Sequence, residues 1–119
     1  MRMFGRFFVA AVLVATLAGL AAAADVEGLL LDRMCAPKLM KQGQQAAQAH
    51  TRDCNLMPNC LQSGFGVFTA AGKFIILDAA GNKLAETEMR ASQKKDNLRV
   101  KVTGEQTGDT IKVASLKLL

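Results

Sequence analysis

Apolar and polar residues alternate most cleanly at Leu98, Val100 and Val102, which are interleaved with Arg99, Lys101 and Thr103; this period of two predicts a half-buried strand. Gly104 to Asp109 form a turn, and Ile111 and Val113 open another strand. Its apolar phase then slips to Leu116 and Leu118, which requires a bulge near Ala114-Ser115. Upstream, Val26 to Leu31 (VEGLLL) predicts a first strand, with Gly28 marking a bend or a close backbone approach. Phe65 to Thr69 and Lys73 to Leu77 predict two short strands around Ala70-Ala71-Gly72, with Gly72 placed where a positive φ is needed. Asp78 to Asn82 reads as a further turn, and Leu84 to Ser92 as a short helix with a weak apolar face.

Between the first two strands the pattern changes. Lys38 to about Cys60 is rich in Gln, Ala, Lys, Leu and Met and poor in β-branched residues, a helical composition. Pro37 suits a helix start, where its missing N–H costs nothing, while Gly43 and Pro58 divide the stretch into two or three pieces. Five short strands that must avoid open edges, with a helical insertion at about 36–62 and a helix before the fourth strand, predict an α+β domain. The expected form is a small, partly open five-stranded barrel of the OB type.

The N-terminal segment follows a different rule. Arg2 and Arg6 precede an uncharged apolar run from Phe7 to Leu20, and Ala22 and Ala24 supply a small-x-small cleavage pattern. That order predicts a removable signal peptide over 1–24, a mature domain over 25–119, no membrane anchor after cleavage, and a periplasmic or secreted location. Fifteen basic and ten acidic residues give +5; two of the basic ones leave with the leader, so the mature charge is +3. So mild an excess, without Trp or Tyr, argues against nucleic acid as a partner. A monomer is expected.

Candidate chemistry is concentrated in the insertion. All three cysteines (Cys35, Cys54, Cys60) and the single histidine, His50, lie between positions 35 and 60. If one helix carried them, His50, Cys54 and Met57 would share a face. Sulfur ligands with an imidazole suit Cu(I), and thiolates with one histidine can complete a Zn(II) site. His50, Cys54, Met57, Cys60 and Cys35 are therefore candidate ligands for copper or zinc, although no zinc-finger spacing and no Cys-x-x-Cys occurs. The plainer expectation is a disulfide between two of the three cysteines, worth about 2–4 kcal/mol in a thin-cored exported domain, with no cofactor. Cys54 and Cys60 on one regular helix would be separated by about 9 Å of rise and could not bridge; the pairing stays open.

Other residues offer less. Asp32 reads as a solvated turn aspartate, with a ligand role as the rarer alternative. Glu86 and Glu88 point apart on a helix and make no acid–base pair. Ser63-Gly64-Phe65-Gly66 matches neither a nucleophile elbow nor a phosphate loop. Lys94, Lys95, Arg99 and Lys101 read as a solvated basic surface.

His50-Thr51-Arg52-Asp53-Cys54-Asn55-Leu56-Met57-Pro58-Asn59-Cys60, together with Ser63 to Phe68 and the Val102-Thr103-Gly104…Gly108-Asp109-Thr110-Ile111 ending, resembles a set of uncharacterised small exported bacterial proteins. The resemblance implies export and an OB-like β domain, and it implies no mechanism. The combined expectation is a non-enzymatic binding or structural module of the cell envelope, stabilised by one disulfide, with unknown partners. The alternative is a periplasmic Cu(I)- or Zn(II)-binding protein, and thiol redox catalysis is a third reading.

Overall fold

The computed structural model describes residues 20–119. Most of the predicted leader lies outside them. Five strands, β1 (Ala22–Asp32), β2 (Phe65–Phe68), β3 (Phe74–Leu77), β4 (Arg99–Thr107) and β5 (Thr110–Leu118), close into a barrel in the order β1-β2-β3-β5-β4. The barrel is closed where the sequence suggested a partly open one. Closure comes from a short parallel pairing of β3 with β5, Ile76 opposite Thr110 and Leu77 opposite Ile111. One long first strand serving both halves of the sheet, and a helix between β3 and β4, complete the OB-like α+β architecture.

β1 starts at Ala22, three residues ahead of the predicted mature N-terminus. Ala22 to Ala24 pair with Gln106 to Gly104, and the ladder continues from Asp25 opposite Thr103 to Leu29 opposite Arg99. The strand then turns toward β2, pairing Leu29 to Asp32 with Phe68 to Phe65. Gly28 sits where the direction changes, with the Phe68 carbonyl lying against the space a side chain would need. The bulge required by the β5 phase slip is present. Thr103 faces Ser115 but Gly104 faces Val113, so Ala114 is the extra residue.

Val26, Leu30, Phe65, Val67, Ile75, Leu77, Leu98, Val100, Val102, Ile111, Val113 and Leu116 fill the interior. Helix α5 (Ala79–Ala91) closes one end with Ala85 and Met89. It is longer than the sequence suggested, because Asp78 does not merely turn the chain. Its carboxylate accepts the Gly81 N–H (2.9 Å) as an N-cap and the Val113 N–H (3.2 Å), which ties the helix start to β5.

The insertion is four short helices: α1 (Ala36–Gln42), α2 (Gln44–Ala49), α3 (Arg52–Asn55) and α4 (Pro58–Ser63). Gly43 (φ +101°) separates α1 from α2, and Pro58 starts α4, as expected. The further break falls at His50-Thr51, where extended backbone interrupts the helix and Thr51 Oγ1 caps α3 by accepting the Cys54 N–H (3.1 Å). α1 and α2 cover the outside of β1 and β2 through a second apolar cluster of Leu29, Leu31, Ala36, Ala47 and Phe68. This explains why Leu29, Leu30 and Leu31 run apolar without alternation: the strand is buried on both faces there.

Candidate metal centre

β1 ends by carrying a carboxylate into the interior. Asp32 is 0% exposed, a correction to its reading as a solvated turn residue. The pairing of β1 with β4 stops at Leu29 opposite Arg99, followed by one bond from Leu30 N–H to the Leu98 carbonyl (2.8 Å). Beyond it, the carbonyl of Leu30 and the N–H of Asp32 need partners other than a strand. The side-chain amide of Asn55, itself fully buried, supplies both. Its Oδ1 accepts from Asp32 N–H (3.0 Å) and its Nδ2 donates to the Leu30 carbonyl (3.0 Å), with Met89 Sδ 3.6 Å away. Asn55 thus replaces the missing ladder and holds the end of β1 rigid.

The Asp32 carboxylate is spoken for on both oxygens. Oδ1 accepts from His50 Nε2 at 2.7 Å, and Oδ2 accepts the Cys35 N–H at 2.9 Å across the tight turn Arg33–Cys35. The thiols of Cys35 and of Cys60, the latter buried on α4, lie near enough to Asp32 and to one another to feel their charges. With Asp32 ionised, Nε2 of His50 carries the hydrogen, so the ring is oriented by the carboxylate. One ligand atom each from Asp32, Cys35 and His50 lies within 4.8 Å of the others. Among the described residues no side-chain polar atom in this region is left buried without a partner.

The electrostatics follow from that packing. Burial raises the Asp32 pKa, but the hydrogen bond from His50, the Cys35 N–H and the His50 charge together outweigh it and hold the carboxyl below its usual value. Burial and then the neighbouring Asp32 charge push the Cys35 thiol up, and the same causes push Cys60 to about 11. Both shifts run opposite to what an activated thiolate nucleophile needs.

The sequence-derived ligand set is redistributed. His50 is the C-cap of α2, Cys54 belongs to α3 and Met57 is the extended N-cap of α4, so no common helix face joins them. Met57 is 56% exposed. Cys54 lies close enough for its charge to be felt at Cys35. Cys35 and Cys60, by contrast, meet at Asp32. None of the three cysteines is bonded to another, and a cysteine pair stands 4.3 Å apart. Of the two further residues that hold the cluster, Asp32 had a ligand role only as the rarer alternative in the sequence, and Asn55 was not a candidate. The available signal was modest: an aspartate three residues before a cysteine, directly after the apolar run Leu29–Leu31, and an asparagine next to Cys54.

Acid stability provides a direct check on the Asp32 arrangement. Because the folded-state pKa is depressed, the contribution is present above the unfolded value of about 3.9 and is lost as pH falls through the folded one. The metal-free protein is expected to lose more stability between pH 5 and pH 3 than Asp32→Asn does, measured as urea midpoints at the two pH values. Equal losses would mean that the carboxylate is not stabilised by these partners.

Fold and site together define a small OB-like barrel with a buried carboxylate–imidazole–thiol cluster where the helical insertion meets the first strand. No family model matches the chain, and no curated protein or solved structure is significantly similar to it.

Proposed function

We propose that this chain is an exported, non-enzymatic metal-binding module that holds Zn(II) through Asp32, Cys35, His50 and Cys60. The observation that carries the reading is the convergence of Asp32, Cys35 and His50 ligand atoms within 4.8 Å around a carboxylate withdrawn from water. A four-coordinate zinc with bonds of about 2.0–2.3 Å sets its ligand atoms about 3.5 Å apart, so modest inward movement suffices. The ligand chemistry favours zinc over Cu(I). A hard carboxylate at the centre suits a borderline ion, and the thioether that would favour Cu(I), Met57, is turned to solvent.

A purely structural module stapled by a disulfide draws on the same contact between Cys35 and Cys60. It leaves unexplained why a carboxylate and the only histidine are buried against those thiols. The outer face of β1 and β2 is covered by α1 and α2 through Leu29, Leu31, Phe68 and Ala47, which fixes the insertion against the strand that carries Asp32.

The test is a titration of the reduced, full-length exported protein with Co(II) and Zn(II) against a competing chelator. One equivalent is expected to bind, with a sulfur-to-cobalt charge-transfer band. Structural zinc sites hold the ion with roughly 10–16 kcal/mol across four ligands, so losing one corresponds to on the order of a hundredfold in affinity. His50→Ala and Cys35→Ser should each show that loss, while Met57→Leu should not. Unchanged affinity in His50→Ala, or a cobalt spectrum without the sulfur band, overturns the proposal.

A further inference from the structure

The contact that completes the metal centre also joins two thiols that can oxidise. Cys35 closes the Arg33–Cys35 turn at the end of β1, and Cys60 lies on α4, yet each thiol is near enough to Asp32 and to the other to feel their charges. The two segments are independently tethered to one another: Arg33 N–H donates to the Gly64 carbonyl (2.8 Å) and Met34 N–H to Ser63 Oγ (3.2 Å). The thiols are therefore held together by backbone that neither cysteine supplies. A bond between them requires the sulfurs to close to about 2.05 Å.

We propose that Cys35 and Cys60 form a reversible disulfide that competes with the metal, so that the centre is loaded only while this pair is reduced. The inference rests on the metal-binding reading for its consequence and on the thiol contact for the bond itself. The chemistry needs an oxidant, and the class is a small disulfide such as oxidised glutathione. The thiolate of one cysteine attacks the small disulfide, forming a mixed disulfide and releasing one small thiol. The second cysteine thiolate then attacks the protein sulfur of the mixed disulfide, forming the Cys35–Cys60 bond and releasing the second small thiol. Two electrons pass from the protein to the small disulfide, and the two thiol protons end on the two released thiols. Zinc requires both sulfurs as thiolates, whereas the disulfide leaves neither able to bind as one. Only Asp32 and His50 of the four ligands then remain, too few for a structural site.

The methionines make the pairing readable without mutation. Cleavage after Met34, Met40, Met57 and Met89 places Cys35 in fragment 35–40, Cys54 in 41–57 and Cys60 in 58–89. The metal-free, full-length protein is equilibrated with oxidised and reduced glutathione, alkylated, cleaved with cyanogen bromide and weighed. The expected product links 35–40 to 58–89, leaves Cys54 alkylated, and forms at least about tenfold more slowly when zinc is bound. The oxidised protein should take up no cobalt, and treatment with a dithiol reductant should restore uptake. Linkage through 41–57, failure to oxidise at any glutathione ratio, or full cobalt uptake by the oxidised form would each overturn the proposal. If the reduced protein binds neither Co(II) nor Zn(II), the metal reading fails and the competition fails with it. The fragment map still decides whether Cys35 and Cys60 are the reactive pair.

Discussion

Truncating Asn55 to alanine is expected to lower the free energy of unfolding by about 3 kcal/mol. The estimate follows from what the amide does: it satisfies the N–H of Asp32 and the carbonyl of Leu30, two backbone groups in an interior where β4 no longer accompanies β1. Each buried group left without a partner costs about 1–3 kcal/mol, and water has little access to a residue that is fully buried. The loss is large against a total stability of about 5–15 kcal/mol for a domain of this size. The same substitution should weaken zinc binding, since the end of β1 that carries Asp32 loses its anchor. Asn55→Asp is a sharper variant, because it keeps the acceptor for Asp32 N–H, removes the donor to Leu30, and adds a negative charge beside Asp32. Denaturant unfolding of the reduced, metal-free protein measures both. A loss under 1 kcal/mol for Asn55→Ala would mean that another group can replace the amide.

Gly28→Ala is expected to cost at least about 3 kcal/mol, at or above the upper end for overpacked sites. Its Cβ would press directly on the Phe68 carbonyl oxygen, with the carbonyl carbon at 2.8 Å and Val67 Cγ1 at 2.9 Å. Two of these atoms are backbone in a paired strand and cannot swing aside as a flexible side chain would. Gly72→Ala is the informative comparison. It has no neighbour within 4 Å, so only its positive φ of +82° opposes the substitution, at about 1–2 kcal/mol. Thermal or denaturant unfolding of both variants separates steric closure of the barrel from backbone strain. A Gly28→Ala loss no larger than that of Gly72→Ala would contradict the close packing of β1 on β2.

These two positions also mark how far the sequence could be read. Gly28 stood out within VEGLLL as a bend or close approach, since a glycine inside a strand normally signals one. Asn55 did not, because its role depends on where β4 leaves β1, which no local pattern records. The strands themselves were legible: alternation placed β4, the phase slip placed the bulge near Ala114-Ser115, and glycine marked the β2–β3 turn. Asp78 was misread as part of a plain turn, since the same aspartate that favours a turn also caps a helix, and only the burial of Ala85 and Met89 against the barrel decides between them.

The grouping of His50, Cys54 and Met57 shows the limit more plainly. A spacing of four and three residues defines a helix face only if one helix continues through it, and Thr51 instead caps a new helix immediately after His50. Once that axis is broken, His50 turns to Asp32, 18 residues earlier in the chain, and Met57 turns to solvent. Cys60, on α4, lies near enough to the same carboxylate for its charge to raise the thiol pKa.

From the sequence alone came the periodicities, the punctuation by Gly43, Gly72, Pro37 and Pro58, and the concentration of soft ligands in one insertion. Those are local properties, set by residues within a turn or two of each other. Only the tertiary structure decided that Asp32 is buried, that Asn55 completes its strand, and that Cys35 and Cys60 meet beside it. Each of those facts depends on segments 18 to 29 residues apart being brought together by barrel closure and by the packing of the insertion. Such proximity is set by the summed direction of every intervening turn, and spacing along the chain carries no record of it.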